Sequence, residues 1–149
     1  MDKHSVSPAG ELSYYGLSLL SYLNDCHPLL AADAEFIAAR ADNAAEVYSS
    51  AIKSGQSHPQ AEAAADEELY RGLHFSPYNT LVNIIWDEFA VAVPEVQAPT
   101  LARIILPLCG NILAKYSLAD DFADTPQYEL LYTELTGTVQ TILEHGGVQ

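Results

Sequence analysis

The chain has 149 residues, close to half of them apolar, with twenty acids against six bases and a formal net charge of −14. That length can bury a core without disulfides or a structural metal. The six bases, Lys3, Arg40, Lys53, Arg71, Arg103 and Lys115, form no cluster, which argues against direct nucleic-acid binding and against an anionic membrane surface, while leaving room for a basic protein partner.

Helical rather than alternating periodicity fills the segments between turn signals. Glu11 to Cys26 predicts a first helix, with Leu12, Tyr15, Leu19 and Leu23 on one stripe. Tyr14, Leu17, Leu20 and Tyr22 widen that stripe, so the helix is expected to be pressed on two sides. Pro28 stops it. Asp33 to Ser54 carries one or two helices, with Asp42-Asn43 as a candidate break and Gly55 at a C′ position. Ser57, Pro59 and Gln60 form a capping-box pattern for a helix reaching Arg71.

Ser76 and Pro77 open the next helix, which is expected to run to about Val91. At helical spacing Tyr78, Leu81, Val82, Ile85 and Phe89 form its buried stripe. Ile84 and Trp86 flank that stripe, and Glu88 falls inside the apolar arc. After Val93-Pro94, a helix from Pro99 carries Leu101, Ile104, Ile105 and Leu108, and Pro107 kinks it. Thr125 and Pro126 announce the last helix, whose apolar face holds Tyr128, Leu131, Tyr132, Leu135, Val139, Ile142 and Leu143. Its back carries the small residues Thr133, Gly137 and Thr141, a candidate ridge for close helix contact and self-association. The plainer reading is a tolerated surface glycine. The architecture expected is all-α, a compact bundle of about six to seven helices in one domain over 1–149, with candidate lobes at about 10–92 and 95–146. Disorder is expected only near Met1–Ala9 and Gly146–Gln149.

Little chemistry accompanies these helices. His4, His27, His58, His74 and His145 match no metal-ligand spacing, and no phosphate-binding glycine loop or nucleophile elbow is present. Cys26 and Cys109 belong to no CxxC pair and read as reduced, buried thiols, with a single disulfide between them as the alternative. The acids Asp120, Asp121 and Asp124 lack the glycine and distal glutamate of an EF-hand loop and read as solvated acids before a helix. Glu62 and Asp66 read as a solvated helix face. No metal and no cofactor are expected.

Four residues merit separate weighing. His74 lies in a turn, where it either ties that turn or acts as a base near a helix N-terminus. Tyr78 and Glu88 would join it in a candidate pocket. Glu88 either needs a partner such as Arg71 or Arg103, or reaches water from the margin of the arc. Trp86 reads as a core residue, with an interface anchor as the alternative.

The beginning of the chain, Met1-Asp2-Lys3-His4, runs into Ser and Pro rather than an apolar stretch, so no secretory signal is expected. The apolar run from Ile104 to Leu113 is broken by Pro107, Gly110 and Asn111 and reads as too short to span a bilayer. The cytoplasm is the expected compartment.

Three stretches, YYGLSLLSYLNDCHP, GLHFSPYNTLVNIIWDEF and LADDFADTPQYELLYTELTG, resemble a family of small acidic helical proteins without an assigned activity. The resemblance runs from about Leu12 to Gly146. It implies an all-helical fold, an origin in anaerobic gut or oral bacteria and, for some members, carriage on conjugative elements. It transfers no functional residue. The function expected is therefore non-enzymatic, through protein–protein contacts and self-association. The alternatives are an acidic decoy of a nucleic-acid-binding protein, and a small-ligand binder or enzyme with a pocket near His74.

Overall fold

Serine, aspartate and glycine punctuation sets most of the helix boundaries in this chain. The computed structural model describes residues 13–146, so His4, Glu11 and Leu12 and the two expected disordered ends, Gly146 apart, lie outside the described residues. Among those described, every regular element is helical, as expected: α1 (Tyr14–Cys26), α2 (Ala34–Lys53), α3 (His58–Leu69), α4 (Pro77–Glu88), α5 (Ala98–Ile105), α6 (Gly110–Leu113) and α7 (Gln127–Glu144). The chain divides into two units between Arg71 and Gly72. The expected lobes met instead near Val93–Pro99. The boundary lies earlier because α4 shares its core with α5 and α7.

In the first unit, Asp33 caps α2 by accepting a hydrogen bond from the Phe36 amide at 3.0 Å. The helix then runs without interruption through Asp42-Asn43, whose side chains are both exposed. Gly55, at φ +96°, closes α2 with two bonds. The Gly55 amide donates to Ile52 and the Gln56 amide to Ala51, each at 3.0 Å, which is a Schellman cap. Ser57 and Gln60 complete the expected capping box for α3. Ala41, Ala44 and Ala51 on α2 and Ala61 and Ala65 on α3 are all buried. Small side chains let these two helices make the most extensive helix–helix contact in the unit. Leu19 and Leu23 of α1, Ile37 and Leu69 add the bulkier buried side chains. Tyr14 and Leu17 of α1 stay exposed, so that helix is not covered on two sides.

α3 stops at Leu69, two residues before the expected end. The Arg40 guanidinium explains the early stop. Its Nη1 donates to the carbonyl oxygens of Glu68 at 3.4 Å, Leu69 at 3.1 Å and Arg71 at 2.8 Å. A cation there satisfies orphan carbonyls and complements the helix dipole. The same guanidinium lies 4.9 Å from the Phe36 ring centroid.

In the second unit, Ser76 caps α4 through the Asn79 amide at 2.9 Å, and Pro77 occupies the first turn. Tyr78, Leu81, Val82, Ile84 and Ile85 are buried, with Leu131, Leu135 and Val139 of α7 in the same core. α4 ends at Glu88 rather than near Val91. The α7 face is the one expected, but Thr125 does not cap it. Its hydroxyl donates backward to the Phe122 carbonyl at 2.7 Å.

α5 corrects the expectation most. Leu101, Ile104 and Leu108 belonged to its predicted apolar stripe, yet Ile104 is 45% and Leu108 62% exposed. Ile105 is buried as expected and Leu101 packs at the core's margin, while Ala98, Ala102 and Cys109 take the remaining inward positions. A 3-10 turn, Leu106–Cys109, carries the chain through Pro107 into α6. Because this turn joins α5 to α6, Glu95–Leu113 is long and apolar enough to cross a membrane by length and composition, with a mean hydropathy of 1.3. The expectation that the apolar run was too short is corrected on that point. Core helices meet the same measure.

Removing the Arg40 cap gives a direct test of the first unit. Arg40→Ala is expected to destabilise it by about 2 kcal/mol, because a charged donor and several carbonyl partners are lost together. Denaturant unfolding of this variant against the parent checks the value, and an unchanged midpoint contradicts the assignment.

Candidate functional site

The expected pocket of His74, Tyr78 and Glu88 does not assemble. Tyr78 is the second residue of α4 and Glu88 its last, a separation along the helix of about 15 Å at 1.5 Å per residue. Each residue has its own partner. The Tyr78 hydroxyl donates to the Pro99 carbonyl at 3.4 Å, and the Arg103 guanidinium lies 5.6 Å from its ring centroid. Glu88 is exposed and accepts from the Tyr132 hydroxyl at 3.0 Å, so it reaches the margin of the arc rather than a buried cation.

His74 is tied into the turn by its backbone amide, whereas its ring, expected to pack and donate the tying hydrogen bond, is exposed. Asp120 accepts the amide protons of Gly72 and His74, each at 3.0 Å, and the His74 ring lies 4.0 Å from the same carboxylate. Asp120 therefore clamps the turn before α4 rather than serving only as a solvated acid. Phe122, in the middle of the acid loop, is buried, with its ring 4.9 Å from that of Phe75. An aromatic inside a run of aspartates was the available sign that this loop is anchored. The interleaved acids hid it.

Among the described residues, no group of three or more His, Cys, Asp and Glu side chains is placed to hold a metal ion. Glu62 meets one histidine, His58, at 3.8 Å, and the His58 Nδ1 shares a 2.6 Å hydrogen bond with Tyr48. Neither cysteine is in a disulfide. Burial pushes the Cys109 thiol up, which keeps it protonated and unreactive. Lys115 and Tyr116 both donate to Glu134. The lysine, then the tyrosine, hold that carboxyl below its usual range.

A surface depression lies where α4 ends and α5 begins. Trp86 is 41% exposed, not the core residue expected, and its indole N–H donates to the Glu95 carbonyl at 3.0 Å. It borders an open depression of about 430 Å³ with Ala90, Val93 and Glu95. A second depression of about 360 Å³ shares Val93 and is bounded by Val96, Leu101, Ile104 and Leu143. Gln97 and Thr100 also line the second depression. The Glu95 carboxylate is the one titratable group among the residues lining the two. Only the alternative reading of Trp86, an interface anchor, pointed toward this surface. The outward turn of Ile104 and Val96 had no sequence signal.

The Thr133, Gly137 and Thr141 ridge is exposed, and a Cβ at Gly137 would meet nothing within 4 Å. No helix of this chain therefore requires the glycine. Gly137→Ala is expected to stabilise the protein by about 1 kcal/mol in thermal or denaturant unfolding. A loss of stability, or dissociation of an oligomer on sedimentation, would instead place a close contact there.

Two tyrosines carry a pH signature. Burial first, then the bond to Glu88, pushes Tyr132 up to about 12. Burial, then the Glu62 and Asp66 carboxylates, pushes Tyr15 up to about 12. Both are raised from an ordinary 10.0, so their contribution to stability is complete below pH 10 and is lost as pH climbs through 12. Tyrosinate absorbance of the folded protein should show a late component near pH 12, reduced in Tyr132→Phe. Titration of every tyrosine near 10 contradicts this placement.

A family model described as a domain of unknown function, DUF1896, matches residues 7–148. The crystal structure of protein PG0816 from Porphyromonas gingivalis is similar, with 43% sequence identity and a TM-score of 0.86, covering 91% of this chain and 93% of that one. The search of curated proteins gave no match. With nearly its whole length matched and an all-helical fold shared with a solved relative, the chain belongs to the DUF1896 family.

Proposed function

We propose that this protein is a non-enzymatic helical protein that acts through protein–protein contacts, and that the outward face of α5 is a contact surface. The observation that carries this reading is the exposure of Ile104 on α5 and of Leu108 in the turn that follows, while Ala98, Ala102 and Ile105 are buried. Leaving a large aliphatic side chain exposed forgoes about 1.5–3 kcal/mol relative to full burial, and a partner covering this face would recover part of that. The scattered polar partners of His74, Tyr78 and Glu88 favour a contact role over catalysis. The cytoplasm is the compartment this reading assumes. Self-association, where it occurs, is proposed at the exposed Thr133, Gly137 and Thr141 ridge on α7, whose small side chains suit close approach. The stabilisation expected of Gly137→Ala is that of the dissociated chain, and in an oligomer the added methyl would weaken this contact.

A second reading, an acidic decoy of a basic nucleic-acid-binding protein, draws support from the formal charge of −14 and from the mobile-element context that the family resemblance implies. Its contacts would be electrostatic and sensitive to salt.

Affinity capture from the native host separates the two, using wild type beside the double variant Ile104→Asp and Leu108→Asp. The contact reading expects a specific partner that survives a wash near 1 M salt and is absent from the variant's eluate. A basic DNA-binding partner lost in that wash and retained by the variant would favour the decoy. No specific partner under either wash would overturn both.

A further inference from the structure

We draw no further inference here: the strongest candidate, the surface patch where α4 gives way to α5, with Trp86, Val96 and Ile104 exposed, is an unpartnered apolar face, and nothing in the structure shows what covers it.

Discussion

The close packing of α5 through Ala98 and Ala102 is the constraint on which the second unit's surface depends. Both alanines are fully buried, as are Ile105 and Cys109 on the same side. Short side chains at those positions let the backbone of α5 approach α4, which leaves Leu101 at the core's margin and Ile104 and Leu108 exposed. Pro99, in the first turn of α5, and Pro107, within the 3-10 turn that follows, sit where a missing amide is tolerated. The helix can therefore be apolar on both sides without losing its place in the core. One side fills the interior and the other borders the depression lined by Val93, Val96 and Leu143.

The two units reach stability by different means. The first relies on the alanine-lined pair α2 and α3, with a serine–glutamine cap at one end of α3 and the Arg40 guanidinium at the other. The second gathers aromatic rings and branched aliphatics. Phe75, Phe122 and Tyr128 pack edge to face beside the Asp120 clamp, while leucines and isoleucines of α4 and α7 fill the centre. Arg40 and Asp120 are the charged groups that tie backbone in the two units, while most other charge sits on the outer faces, where it favours solubility.

Local signals made the helices legible in the sequence. Asp33, Ser57, Ser76 and Gly55 act through bonds spanning three to five residues, so their meaning needs no tertiary context. The stripe on α7 was equally readable because its leucines and Val139 face a single partner surface. Orientation failed where two faces were apolar. Nothing in the spacing of Leu101, Ile104 and Ile105 says that alanines will take the inside, since that depends on how near α4 lies. Trp86 was misplaced for the same reason. The candidate pocket failed because residues near in sequence were read as near in space, although Tyr78 and Glu88 stand at opposite ends of one helix. Asp120 binds the turn before α4 from 46 residues away, a pairing that no local pattern announces.

The orientation of α5 is the claim on which the proposed contact surface rests, and carbene footprinting of the native protein reads it residue by residue. Ile104, Leu108 and Val96 are expected to be labelled strongly, with Ile105 and Cys109 protected alongside them in the same peptide. Comparable labelling of Ile104 and Ile105, or protection of both, would show that α5 does not turn its large side chains to solvent and would contradict the account.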